Sequence, residues 1–167
     1  ARQRDDPGQI VRVVGEIGLG GIKSPKEAAP MVQWAKKHGM VVMMHTGGTS
    51  IPGSTTVPAA DVIAAGADVA CHINGGPTAL SLEEAEKLIR HTALTLEIVH
   101  CGNPKMIVEV MKVVKEVKAY PRIIIGNDAP SGTGVIPLGI LRVINFLASL
   151  CGIKAEEAIA MATGNTA

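Results

Sequence analysis

The chain has 167 residues, 16 basic and 15 acidic side chains, and a formal net charge of +1. That length is enough for one domain with a real core, and the balanced charge, without runs of one sign, excludes the electrostatic footprint of a nucleic-acid binder. Hydrophobic residues make up 47% of the chain but aromatic ones only 2%, so the core must be built from Val, Ile, Leu, Ala and Met, as suits a parallel sheet covered by helices.

The longest apolar stretch, residues 136–153, is broken by Arg142 and Asn145; with no signal-peptide pattern either, neither a membrane span nor a membrane partner is expected. The three cysteines, Cys71, Cys101 and Cys151, form no CxxC pair, which fits reduced thiols and a cytoplasmic location. The chain starts at Ala1 and enters a strand almost at once, as expected of a piece of a longer protein.

In chain order, the first β-branched run covers residues 10–17. Ser24, Pro25 and Glu27 then read as a cap, a first-turn proline and a capping-box partner for a helix running to about Lys37 and stopping at Gly39, with Pro30 expected to disturb its early turns. A strand at 40–45 precedes a short helix over 58–65, ended by Gly66. A third strand at 67–73 leads to a helix capped by Ser81 with Glu84 and ending near His91. The fourth strand spans 92–100; Asn103 and Pro104 open the helix at 106–118. The fifth strand is 122–126; Pro137 opens a helix closed by Gly152, and a last helix covers 155–162. The strands are nearly all apolar, as for strands buried on both faces. This order gives parallel strands with right-handed crossovers and fits both an open doubly wound sheet and part of a (β/α)8 barrel.

Polar residues recur at the strand ends. Glu16 to His45 is 29 positions, His45 to His72 is 27, and His72 to His100 and His100 to Asp128 are 28 each. Each interval is one βα unit long, so in a barrel the five side chains converge on the C-terminal face, where active sites lie. Two imidazoles and two carboxylates at the ends of apolar strands are satisfied together by a divalent metal, which lowers the pKa of bound water from 15.7 to about 7. Each residue taken alone has an ordinary alternative. His45 or His72 is a hydrogen-bonded core histidine, Asp128 a cap in NDAPSG, Glu16 the partner of a nearby cation, and His100 a pocket-lining residue. Four coincidences at one strand height favour the set. His38 and His91 near helix C-termini read as structural. Strand alternation is expected to turn Cys71 and Cys101 away from the face used by the adjacent histidines.

The Gly-rich loops at 18–21, 46–54, 74–78 and 127–134 match neither a dinucleotide fingerprint nor a phosphate loop. No GxSxG elbow holds Ser50, Ser54 or Ser131. Backbone approach to a small ligand and tight βα turns remain equal readings of these loops.

The segments MHTGG at His45, HINGGPT at His72 and GNDAPSGTG at Asp128 resemble the amidohydrolase superfamily. Together with VGEIGLG and EIVHCGNPK, their wording is most like the enamidases. The resemblance covers about Val13 to Ala167. It implies an α/β fold, a partial TIM (β/α)8 barrel formed by strands 4 to 8 with their helices, as a single partial domain over 1–167. The first three barrel strands, with their HxH pair, and a β-sandwich would be absent. It also implies zinc and iron, or two zincs. Glu16 would bridge the metals, His45 and His72 would hold the second, and Asp128 would bind the first and shuttle a proton. Thr46, Asn74 and His100 are pocket-lining candidates. The implied reaction is metal-hydroxide hydrolysis of a cyclic amide C–N bond, that of 6-oxo-1,4,5,6-tetrahydronicotinate in nicotinate degradation, by a homo-oligomer. Alternatives are another amidohydrolase, dihydroorotase- or imidazolonepropionase-like, and a metal-free half-barrel. The chain by itself is expected to lack most activity.

Overall fold

The structure, a computed structural model, describes residues 11–18, 20, 22–49, 52–75, 79–129 and 134–166. Strands β1 (Val13–Ile17), β2 (Val41–Met44), β3 (Val69–Ala70), β4 (Thr95–Val99) and β5 (Ile123–Gly126) alternate with helices α1 (Pro25–Lys37), α2 (Ala59–Ala65), α3 (Leu82–His91), α4 (Pro104–Glu116) and α5 (Gly139–Leu150), and α6 (Ala155–Ala162) follows. All strand pairings are parallel and the spatial order is β1-β2-β3-β4-β5. A doubly wound sheet reverses its strand order at a switch point. This sheet does not, and it is an arc of barrel wall.

Local chemistry explains most of the boundaries. Ser24 accepts the Glu27 N–H, and the Glu27 carboxylate returns to the Lys23 N–H at 3.0 Å. Helix α1 passes through Pro30 without a break. The proline leaves only the carbonyl of exposed Lys26 without a helical partner, and water can serve that group. Ser81 accepts the Glu84 N–H, but the Glu84 carboxylate turns to the preceding helix and accepts the Ala59 N–H at 2.7 Å. It thereby caps α2, whose own N-cap, Pro58, makes no side-chain bond. Asn103 accepts the Lys105 and Met106 N–H groups to start α4.

Several boundaries differ from the pattern reading. The start of the first strand at Ile10 lies outside the described residues. Thr92 is not in β4; its hydroxyl donates to the Leu88 carbonyl and accepts from Leu94, closing α3. Arg122 belongs to a 3-10 turn, Tyr120–Arg122, before β5. Helix α4 stops at Glu116, two residues early, and Lys118 takes a left-handed φ of 57°. Pro137 lies outside α5, which begins after left-handed Leu138.

The core lies between sheet and helices. Ile17, Met44, Ala70, Leu96, Ile98, Ile123 and Ile125 face it from the strands, with Val32, Leu88, Val110, Met111, Leu147 and Met161 opposite. Among the described residues no helix is long and apolar enough to cross a membrane. All three cysteines are free thiols.

Candidate metal centre

Register decides which side chains face the inside of the arc. Met44 pairs with Ala70, and Ala70 with Leu96. All three are buried on the helix side, so the residues that follow them, His45, Cys71 and Glu97, have the opposite parity. Ile17 pairs with Met44, and Glu16 therefore shares the inner face with His45.

Simple alternation would send His72 to the helix side. It does not, because β3 ends at Ala70 and His72 adopts φ +34°. This left-handed turn, of a kind that costs a non-glycine residue about 1–3 kcal/mol, brings the imidazole to Glu16 and His45. The expectation that alternation turns Cys71 away from the histidine face is thereby corrected. Its thiol interacts electrostatically with Glu97, Glu16 and Asp128, and burial together with those carboxylates pushes its pKa up, which leaves it unreactive.

Glu16, His45 and His72 each offer a ligand atom within 4.8 Å of the others. His45 Nδ1 is 2.7 Å from Glu16 Oε1, His72 Nε2 is 3.1 Å from Glu16 Oε2, and the two ring nitrogens are 3.1 Å apart. The rings meet edge-on with centroids 4.7 Å apart. Both histidines are buried, while Glu16 keeps a third of its side chain open. Burial opposes the charge on Glu16, but hydrogen bonds and charge from His45 and His72 outweigh it and hold the carboxyl at about 2. Burial likewise opposes the His72 imidazolium, yet Glu16 first, then Asp128 and Glu97, raise its pKa.

Tautomers test whether a cation fits. His45 Nε2 lies 2.8 Å from the Gly48 carbonyl, which can only accept, so this nitrogen carries the proton. A neutral His45 then presents a bare Nδ1 lone pair to a carboxylate and to a second imidazole nitrogen. His72 Nδ1 is buried without a hydrogen-bond partner. With His45 neutral, only His72 Nε2 can place a proton among the three, and with that ring's proton on Nδ1 a carboxylate and two imidazole nitrogens face one another as electron-pair donors. A divalent cation satisfies such a set.

Asp128 stands two residues past β5 with φ +55°. It lies outside the three-residue cluster but interacts electrostatically with all its members. Burial raises its pKa and Glu16 adds to this, against the opposing effect of His72 and His45.

The other candidates go elsewhere. Thr46 is fully buried, and its hydroxyl donates to the Cys71 carbonyl at 2.6 Å. Asn74 is fully buried, and its amide bonds the Val99 backbone. Both side chains serve backbone groups. His100 has helix-side parity with Ile98, and no left-handed turn reverses it. It lines a separate cavity of about 220 Å³ with Ile107, Val143 and Phe146 from α4 and α5.

Glu97 escaped the sequence reading. Its signal was a carboxylate inside the apolar run TLEIV, the same signal that drew attention to Glu16. It is largely buried, and burial raises its pKa.

A sequential parallel arc of βα units, with a strand-end carboxylate and imidazoles gathered inside its C-terminal rim, matches a partial TIM barrel of the amidohydrolase superfamily. No protein-family model matches the chain. The chain is 57% identical over 156 residues to the enamidase of Eubacterium barkeri, a match that takes in 93% of this chain and 40% of that protein. It also superposes on the crystal structure of enamidase, described as a new member of the amidohydrolase superfamily, with a TM-score of 0.87 over 93% of this chain and 40% of that one. The chain therefore spans well under half the length of the relative it matches.

Proposed function

We propose that this chain supplies one wall of the active site of an enamidase-like hydrolase, which opens 6-oxo-1,4,5,6-tetrahydronicotinate to 2-formylglutarate and ammonia. The observation that carries this reading is the convergence of ligand atoms from Glu16, His45 and His72 within 4.8 Å of one another, in a chain 57% identical to an enamidase. One water cleaves the amide C–N bond and leaves an enamine; a second hydrolyses the enamine and releases ammonia.

Glu16, His45 and His72 would hold divalent metal, zinc or iron, with Asp128 contributing from the neighbouring strand end. The metal supplies a Lewis acid and an acidified water. Asp128, whose raised pKa suits it to hold a proton transiently, accepts a proton at its carboxylate and returns it to the leaving nitrogen. Glu16, by contrast, is held ionised by His45 and His72, and stays a charge rather than a proton carrier. Three free thiols suit a cytoplasmic enzyme, and a homo-oligomeric assembly is part of the same reading.

The test is a chimera in which this chain replaces the matching segment of the Eubacterium barkeri enamidase, assayed for ring opening. Activity is expected, and Asp128→Asn should lower kcat by about 10²–10⁴-fold. A folded, metal-loaded chimera that leaves the lactam intact overturns the proposal.

A further inference from the structure

Glu97 holds both sides of the His72 peptide. Its backbone carbonyl accepts the Ile73 N–H at 3.0 Å, and its side-chain Oε2 accepts the His72 N–H at 3.1 Å. The first bond is one residue out of the β3–β4 register, in which the Glu97 carbonyl would accept the His72 N–H. The second takes the donor that the ladder loses when His72 turns left-handed at φ +34°. Without that turn, strand parity directs the imidazole to the helix side and away from Glu16 and His45.

The neighbouring strand is cut to fit. Gly126 ends β5 opposite Val99, and a Cβ built there would overlap Glu97 Oε1. Any other residue at 126 would push the carboxylate out of place. The Gly126 backbone is in the extended β5 strand rather than a left-handed turn, so side-chain room is the reason for a glycine at this position.

We infer that Glu97 is a positioning residue: its carboxylate, seated in the notch left by Gly126, fixes His72 in the left-handed conformation that aims Nε2 at the metal position. The inference rests on the metal reading above and extends it to a residue outside the ligand set. Hydrogen bonds that orient metal ligands are typically worth 10–100-fold in affinity, and the same range is expected here.

The experiment compares the full chain with Glu97→Gln, Glu97→Ala, Gly126→Ala and, as a control, Leu96→Ala, which opens the core one residue away. Two quantities are measured: cobalt(II) affinity by visible absorption, and metal-free amide hydrogen exchange at residues 71–73. Glu97→Ala should lose at least tenfold in affinity and speed exchange at His72. Gly126→Ala should change both quantities in the same direction. Glu97→Gln keeps an accepting oxygen and should stay within about threefold of the parent. The control should lower global stability while leaving the affinity of the folded fraction unchanged.

Parent-like affinity and exchange in Glu97→Ala and Gly126→Ala overturn the inference. So does a Gln variant as impaired as Ala, or a control that loses as much affinity as Glu97→Ala. If Glu97→Ala fails to fold, Gly126→Ala with Glu97→Gln decides on the same two quantities. Failure of the parent chain to bind cobalt counts against the metal reading instead, and the exchange comparison still decides the role of Glu97.

Discussion

The side-chain amide of Asn74 pairs with the backbone of Val99 in both directions. Its Nδ2 donates to the Val99 carbonyl at 3.0 Å, and its Oδ1 accepts the Val99 N–H at 2.8 Å. Asn74 thus takes the place of a strand after β3 has ended, and it keeps the end of β4 hydrogen-bonded where both residues are fully buried. Asn74→Ala should cost about 1–3 kcal/mol for each backbone group it orphans, measured by urea denaturation. A Cβ on Gly102 would overlap the Asn74 amide, so Gly102→Ala should also destabilise. The double variant should keep a penalty of its own at Gly102, because the Asn74 backbone carbonyl, which the Cβ would also overlap, remains after the side chain is truncated.

Metal should stabilise the folded chain. A cation that binds only the native state at 100 times its Kd adds about 2.7 kcal/mol. Zinc or cobalt should therefore raise the thermal midpoint, and a chelator should return it to the metal-free value. Calorimetry with and without metal checks this, and an unchanged midpoint at saturating metal would count against the cluster as a cation site.

Loss of a ligand should cost more than loss of an orienting partner. His45→Ala removes Nδ1 from the convergence, and Glu16→Gln removes the charge. Each should lower cobalt affinity by more than the roughly 100-fold upper range for partners outside the ligand shell. Competition with a chromophoric chelator measures the change. Cys71→Ser should leave the affinity near that of the parent chain, since the thiol is held protonated.

The contact between Glu84 and the start of α2 predicts an acid-sensitive junction. A hydrogen bond from Lys87, then one from the Ala59 N–H, lowers the Glu84 pKa. A carboxyl depressed in the folded state contributes stability that is complete above its unfolded pKa near 4.5 and is lost as pH falls through the lower folded value. Glu84→Gln should flatten that part of the pH–stability curve, and Glu84→Ala should cost about 1 kcal/mol, as for a lost helix cap. Urea titrations between neutral pH and pH 3 provide the comparison.

Much of the architecture was legible because each βα unit carries its own signals. Ser24, Ser81 and Asn103 mark helix starts through local hydrogen bonds, and the apolar runs mark strands buried on both faces. The spacing of 27 to 29 residues from Glu16 through His45, His72 and His100 to Asp128 reflects one chain turn per unit, and it brought three of those five side chains into one cluster. The same spacing misled at His100. An interval of 28 fixes the height along the sheet but leaves the face open, and His100 falls on the helix side, against α4 and α5.

What the amino-acid order determined by itself is therefore whatever depends on near neighbours: strand and helix identity, caps, and the recurrence of polar residues at strand ends. What only the tertiary structure decided is which face each of those residues uses. Faces follow from the register between strands that lie a whole βα unit apart and from single left-handed residues such as His72. Neither leaves a local trace, because a donor such as the His72 N–H finds its acceptor, Glu97, 25 positions away. The space that makes this possible is the missing Cβ of Gly126, another βα unit further along the chain.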